Sequence, residues 1–470
     1  MTAPGVVIVG AGPAGARAAQ TLVAAGLRPI VVDEGARAGG QIYRRPPQPL
    51  ARPAATLYGS EARKARALHA DFDAMAERGA IAYLRETSVL TVHDGRAQVL
   101  GPQGLRWLAF DKLILATGAI DRLAPVPGWE SAGVYTLGAM QIALKAQGAA
   151  MGRRVALAGS GPLLTLLATQ LLKAGAHVAA VLDTAPLGVQ ARAFPALAAA
   201  RPLVALRGAA MRARLGRLYS AGVALERIEA DQNGPVTIVW RDSRGRDRRT
   251  DCDAVGLGWH LRAETRLADL AGCAFDYDAT WRQWLPRVDA FGRAGENLYL
   301  AGDGVRLNGA DGAEIAGRLA AAACLTDLRL PAPPTTDLLR RHAEMARFAA
   351  ALARAFPWPT EAVRGLPDEA VLCRCEGVTA GEARAAAACG GQEANRTKSL
   401  ARVGMGRCQG RYCDLALAEI LGAGEAAAAG RLRAQAPVRP VPASAYMAAD
   451  EATLTPRLKW PGTPPADGRA

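Results

Sequence analysis

Histidine is scarce in this sequence. Its five histidines (His69, His93, His177, His260 and His342) are dispersed, so spacing reveals no acid–base or metal-ligating constellation. Cysteine is also scarce, with 8 in 470 residues, and no C-x-x-C pair occurs in the first 370. That absence excludes a dithiol redox centre over most of the chain. No uninterrupted apolar run approaches the ~20 residues of a membrane-spanning helix. The apolar segment 155–182 is broken by Gly159, Gly161, Lys173 and Gly175. The first residues lack the charged region of an export signal, so a cytoplasmic protein, at most peripheral to an inner membrane, is expected, without structural disulfides. The formal charge is +14, but the arginines are scattered and form no aromatic-interleaved stripe. Nucleic acid is therefore not an expected partner; an acidic protein or anionic cofactors account for the charge.

Half the residues are apolar, and the length predicts two to four domains. The first begins with "VVIVGAGPAGARAAQTLVAAGLRPIVVDE". The run Val6–Val9 has the pattern of a buried parallel strand. Gly10, Gly12 and Gly15 follow at G-x-G-x-x-G spacing, with Pro13 and Ala14 between them. Such glycines allow a tight turn, close approach to a pyrophosphate, and close helix–strand packing. The helix they open offers free N–H groups to the phosphates. A second strand ends in Asp33 and Glu34, one of which is expected to accept from a ribose diol; Glu34, the later, is preferred.

Three further stretches point to FAD. "GARAGGQIYR" supplies a close-approach loop at Gly39, Gly40 and Gln41; "LILATGAI" places Thr117 and Gly118 after an apolar strand; "NLYLAGDG" places Gly302 and Asp303 after another. In this order they resemble the two-dinucleotide-binding-domain flavoproteins of the glutathione-reductase type. The resemblance implies that Asp303 holds the FAD ribityl chain and that Thr117 and Gly118 close the first domain. A helix beginning just after Asp303 would point its N-terminus toward the flavin.

The pattern repeats in "VALAGSGPLLTLLATQLLKAGAHVAAVLD", with Gly159, Gly161 and a terminal Asp183. Leu164 stands where the third glycine belongs, and adds bulk where helix and strand should meet. The fold is expected here; NAD(P), another adenine nucleotide, or no ligand all stay open.

After the Pro-rich break "PAPPTTD" comes a helical stretch and then a C-x-C pair, Cys373 and Cys375, followed by a C-x4-C pair, Cys408 and Cys413. Unequal thiolate pairs without histidine suit two sulfide-bridged irons better than zinc, which remains the alternative. The glycines of "VGMGRCQG" would let backbone amides approach the sulfurs. Cys389, on an Ala-rich helix, is expected to be packed; Cys252, Cys273 and Cys324 are expected in the core. His260 is the histidine best placed to lie near the flavin, though packing is the commoner fate.

The cysteine segment resembles the [2Fe-2S] domain of bacterioferritin-associated ferredoxins, with a wider second pair. "CRCEGVT", "KSLARVGMGRCQGRYC" and "AGSGPLLTLLATQLLKAGA" together resemble the larger flavin subunits of opine oxidases, D-hydroxyproline dehydrogenases and hydrogen cyanide synthase, from Val6 to about Leu421. The resemblance implies Cys373, Cys375, Cys408 and Cys413 as ligands of a [2Fe-2S] cluster. It also implies an amine-oxidase-like flavin partner, FMN at a subunit interface, a small ferredoxin-like subunit and a hetero-oligomer.

The expected architecture is α/β. Residues 1–125 and 286–330 form a discontinuous FAD domain, and 126–285 a second dinucleotide-binding-like domain. A linker and helix (331–368) lead to a small, mainly helical iron-sulfur domain (369–425) and a Pro-rich tail (426–470). The tail from Ala436 is expected to dock on a partner or stay flexible. The expected function is electron relay from C–N oxidation on the partner. A self-contained NAD(P)H oxidoreductase and an assembly subunit with a structural flavin are the alternatives.

Overall fold

The computed structural model describes residues 5–449 apart from Asn233. Val6–Val9 is the centre of a five-stranded parallel sheet in the order Leu298–Leu300, Lys112–Leu115, Val6–Val9, Ile30–Val32, Ala82–Leu84. All four residues of the central strand are buried, as a strand covered on both faces requires. The late strand Leu298–Leu300 returns to the sheet edge beside Lys112–Leu115. The chain then turns into the helix Gly309–Asp327, which packs along the first helix, Pro13–Ala24. The two backbones approach so closely that a Cβ on Gly317 would lie 2.0 Å from the Ala14 carbonyl oxygen.

A second parallel sheet has the order Tyr219–Ala221, His177–Asp183, Arg154–Ser160, Ala254–Trp259, Val134–Thr136. Each sheet carries a three-stranded antiparallel appendage: Ser88–His93, Arg96–Gly101 and Gly104–Ala109 for the first, Ala224–Asp231, Gly234–Arg241 and Asp247–Asp251 for the second. The two folds are joined by the ribbon Ala119–Asp121 paired with Leu261–Ala263. The expected two-sheet architecture is what the chain adopts.

The cysteine region forms a hairpin, Val371–Cys373 with Val378–Thr379, and the helices Ala380–Gly390, Ala394–Ala401 and Asp414–Leu421. Thr379 and Glu382 cap the first of these reciprocally. This unit does not hang free. One buried apolar cluster runs from Trp129, Ala158 and Trp259 through Trp358 to Cys373, Cys413 and Leu417. Trp129 Nε1 donates to the Val371 carbonyl at 2.6 Å.

The beginning of the Pro-rich tail differs from expectation. It docks on this chain's own body: Val438 N donates to Leu90 O, and Arg439 makes two bonds to Glu34, 2.6 and 3.0 Å long. Extended backbone with few internal contacts can order when another element supplies its partners, and the first domain does so here. Residues beyond 449 lie outside the described part.

Candidate functional site

In the first fold the glycine turn is tight on its protein side and open on the other. A Cβ on Gly15 would meet the Gly10 carbonyl oxygen at 1.8 Å, so this glycine is required by helix–strand packing. Gly12 differs. Its φ is −73°, which any residue adopts, and a Cβ there would meet only the Gly40 Cα, at 3.6 Å. Nothing in the protein demands glycine at this position, so the open face is a cradle for a group that approaches the backbone. It lies at the N-cap of Pro13–Ala24, where helix N–H groups are free for an anion.

The other first-site residues converge on that turn. Gly40 packs on Gly12 and Pro13, Gly302 on Ala14, and Gly304 on the Thr117 hydroxyl. Gly118 is left-handed (φ 72°) with nothing within 4 Å of its missing side chain, a second open face. Asp303 accepts from Asn308 N at 2.9 Å and Gly309 N at 3.0 Å, both through Oδ1. Burial outweighs these two amides and pushes its carboxyl up to about 6. Gln41 is exposed and accepts from Arg44 at 2.8 and 3.1 Å.

The two acids after the second strand divide their roles. Asp33 accepts from Ala11 N at 2.5 Å and Gly35 N at 2.6 Å, so it ties the glycine turn to the strand end. Glu34 is exposed and touches Arg439. Of the two, Asp33 is occupied by backbone amides, while Glu34 lies at the surface with both oxygens held by Arg439.

The second fold has the same start and a different finish. Gly161 has φ 112°, and a Cβ on it would lie 3.3–3.4 Å from the backbone and imidazole of His260. The protein's own histidine thus lies against Gly161, whereas only the Gly40 backbone comes near Gly12. Leu164 is fully buried and packs with Leu137, Met140 and Leu157. Asp183, fully buried, accepts from Ser160 Oγ (2.8 Å), Ala185 N (2.9 Å) and Tyr219 Oη (2.7 Å). It is the counterpart of Asp33, tying its turn together, and not a carboxylate open to a ribose. The counterpart of Glu34 is Thr184, which accepts from Trp259 Nε1 at 3.0 Å. His260 is therefore packed: its ring meets Trp281 edge-on at 5.1 Å, and burial lowers its pKa to about 4.

The four cysteines are brought together crosswise. Cys413 hydrogen-bonds Cys373, and Cys408 hydrogen-bonds Cys375. Backbone N–H groups of Gly404, Glu376 and Cys375 reach the Cys373 sulfur, those of Gly410 and Tyr412 the Cys408 sulfur. The bond from Cys413 and these amides pull the Cys373 thiol down to about 6. The thiols meet in pairs and not around one point: among the described residues, no three His, Cys, Asp or Glu side chains are grouped to hold a single metal ion. Cys252, Cys273 and Cys324 are buried as expected, but Cys389 is exposed, because its face of the helix Ala380–Gly390 points away from Ala383 and Ala387, which pack inward.

One residue near the first site was not legible in the sequence. Lys145, in a π-helical turn, is buried and donates to the carbonyl of Ile42, next to the Gly39–Gln41 loop. Burial lowers its pKa to about 8. A single lysine in "ALKAQG" carries no spacing signal; only the approach of two distant segments reveals it.

The chain matches the model of the pyridine nucleotide-disulphide oxidoreductase family over residues 4–322. It is 36% identical to an opine oxidase subunit of Agrobacterium tumefaciens (strain Ach5), over 93% of this chain and 90% of that one. It is 33% identical to hydrogen cyanide synthase subunit HcnB of Pseudomonas aeruginosa (strain PAO1), over 94% and 97%. Among solved structures, L-proline dehydrogenase from P. horikoshii shares the fold, with a TM-score of 0.69 and 18% identity over 94% of this chain and 79% of that one. No described helix is long and apolar enough to cross a membrane. The open first turn and this kinship support FAD as the cofactor there. The chain is an oxidoreductase of the pyridine nucleotide-disulphide oxidoreductase family, in the branch that contains these opine oxidase and hydrogen cyanide synthase subunits.

Proposed function

We propose that this chain is the FAD- and [2Fe-2S]-bearing electron-transfer subunit of a hetero-oligomeric dehydrogenase or oxidase that acts on the C–N bond of an amino acid or opine. The observation that carries the reading is the asymmetry of the two turns, one open at Gly12 and one with His260 against Gly161. It supports one bound dinucleotide and counts against an NAD(P)H oxidoreductase that feeds a flavin from the second fold. The relatives named as subunits of opine oxidase and hydrogen cyanide synthase support the substrate class and the need for a partner.

When bound, FAD supplies two-electron chemistry and a [2Fe-2S] cluster one-electron transfer, which together suit a relay. In this reading Gly12 and the helix behind it take the pyrophosphate, Glu34 the ribose and Asp303 the ribityl chain. Cys373, Cys375, Cys408 and Cys413 hold the cluster, and the amides of Gly404 and Gly410 donate to their sulfurs. The partner is an amine-oxidase-like flavin subunit that oxidises the substrate, with FMN at the shared interface and a small ferredoxin-like subunit in the assembly. A pure assembly role fits poorly with four thiols paired under backbone donors.

The test is to compare the separated chain with the co-expressed complex. Acid extraction should release FAD, and anaerobically prepared protein should hold about two irons and two labile sulfides. Cys408→Ser should lower both while the flavin stays. The chain alone should not reduce a dye with opines, proline, D-hydroxyproline or glycine; the complex should. Equal turnover by the separated chain, or stoichiometric zinc without sulfide, would overturn the proposal.

A further inference from the structure

Ten buried polar side-chain atoms among the described residues have no hydrogen-bond partner. Eight of them belong to one region: Arg122 Nε and Nη2, both ring nitrogens of His260, Arg262 Nε, Tyr277 Oη, Trp284 Nε1 and Trp358 Nε1. Buried polar groups are nearly always satisfied, so one orphan is an irregularity and eight together describe an absent set of partners. The region is the junction of the second fold with the cysteine domain. There the strand Leu261–Ala263 and the hairpin Phe275–Asp278 with Gln283–Pro286 meet the helix Asp414–Leu421. Gln283 Nε2 donates to Ala263 O at 3.1 Å, and Arg282 makes two 2.6 Å bonds to Glu419. Arg262, Tyr277 and Trp284, three of the orphan-bearing residues, line a cavity there together with Arg282 and Asp414. Its volume is about 30 Å³ for water-sized occupants. One water needs roughly 10–15 Å³ on that measure.

Charge narrows what the occupant can be. Asp414 serves both Arg262 and Arg266, Glu419 serves Arg282, and Asp269 serves Arg431. Arg122 is 5% exposed and has no carboxylate; the Trp358 ring lies 4.3 Å from its guanidinium carbon. Glu264, whose charge reaches Arg262 and Arg266, pairs with Arg411, so six arginines face four carboxylates, an excess of two positive charges. Burial above all, with Arg262 and Arg282 adding to it and Glu419 opposing, pushes the Arg122 pKa down to about 9. Cys413 lies within electrostatic reach of Arg262 but gives Tyr277, Trp284 and Trp358 no acceptor.

The orphans are mostly donors: guanidinium, indole and phenol N–H or O–H groups. Water can accept from them but brings no charge, and a buried unpaired guanidinium needs a counter-ion. We infer that this junction is a binding site for a small tetrahedral oxyanion of the phosphate type, clamped between the second fold and the cysteine domain. The cavity is too small for a nucleoside, so the ligand is the free ion. Arg122 supplies charge from behind, while Arg262, Tyr277 and Trp284 supply hydrogen bonds. By joining the two units, the anion would stabilise their junction.

The experiment uses the full-length holoprotein, with inorganic phosphate as the probe and sodium chloride of equal ionic strength as the control. Phosphate should raise the melting temperature above the chloride control and titrate calorimetrically to one site per chain. Arg122→Met, which keeps the length and removes the charge, should abolish both signals while the flavin content is retained. Should that variant fail to fold, Tyr277→Phe and Trp284→Phe each remove one donor and should weaken phosphate binding by about tenfold. Anomalous diffraction from selenate-soaked crystals should place the ion among Arg262, Tyr277 and Trp284. Equal phosphate shifts in wild type and all folded variants, or ordered waters without selenate in the junction, would overturn the site.

Discussion

The two parallel sheets open with the same phrase, G-x-G-P, and finish it differently. After Gly12 and Pro13 the first has Gly15 and, past its second strand, Asp33 and Glu34; after Gly161 and Pro162 the second has Leu164, Asp183 and Thr184. The residues that hold the turn together are kept in both: Asp33 and Asp183 each tie their glycine turn to the strand end. The residues that would meet a ligand are kept in only one. His260 lies against Gly161, Leu164 fills the space between helix and sheet, and Thr184 replaces the exposed carboxylate. The comparison separates two kinds of motif residue that a spacing pattern lumps together, those that make the fold and those that bind.

Exchanging the third position breaks the comparison most severely. Gly15→Leu would drive a side chain into the Gly10 carbonyl, which a Cβ alone already meets at 1.8 Å. The expected result is no folded flavoprotein, checked by flavin absorbance and near-ultraviolet dichroism. The reverse change, Leu164→Gly, should cost about 4–6 kcal/mol, from a lost buried leucine and a glycine in a helix. Denaturant titration measures that loss, and flavin bleaching by NADH should stay as slow as in wild type. Rapid bleaching in Leu164→Gly would mean that the leucine alone had closed the second site, and the role assigned to His260 would fail.

A smaller change sharpens the ligand side. Gly12→Ala asks nothing of the protein, since φ is −73° and the new methyl lies 3.6 Å from Gly40. The flavin-free protein should melt as wild type does. FAD affinity should fall about 10–100-fold, the equivalent of overpacking by one methyl against the pyrophosphate, as read by fluorescence titration.

The sequence discloses these folds unevenly, for physical reasons. Strands such as Val6–Val9, buried on both faces, leave continuous apolar runs, and glycines forced by close approach recur at fixed spacing. The thiols are legible because Cys373, Cys375, Cys408 and Cys413 are rare residues at short spacings, though not their crosswise pairing, which depends on how two segments meet. Asp183 ends its strand where a nucleotide-binding acid could stand, but spacing places the carboxylate and not the donors that occupy it. Cys389 reads wrongly as packed because an Ala-rich helix gives weak information about which face is buried. Arg122, Lys145 and the docking of Arg439 on Glu34 are contacts between distant segments, for which a single sequence carries no periodic signal.

The smallest effect separates the two folds by pH. Asp303, in the first, has its carboxyl raised from 3.8 to about 6 by burial. Between those values the folded state holds more protons than the unfolded one, so this group makes stability fall as pH rises from about 4 to 6. His260, in the second, is lowered by burial and by Arg122 from 6.5 to about 4. There the unfolded state holds more protons, so this group makes stability rise with pH over nearly the same window. Each slope is at most about 1.4 kcal/mol per pH unit, and in the wild type they oppose each other. Single variants of the flavin-free protein should uncover them. Asp303→Asn keeps an acceptor for Asn308 N and Gly309 N and leaves the histidine's effect, so its stability relative to wild type should decline as the pH is lowered from 6 to 4. His260→Asn, an asparagine being tolerated at its left-handed φ of 67°, should show the opposite trend, gaining relative to wild type over that interval. Parallel pH profiles for both variants and wild type, from urea titrations at each pH, would show that neither group is held in the buried state described.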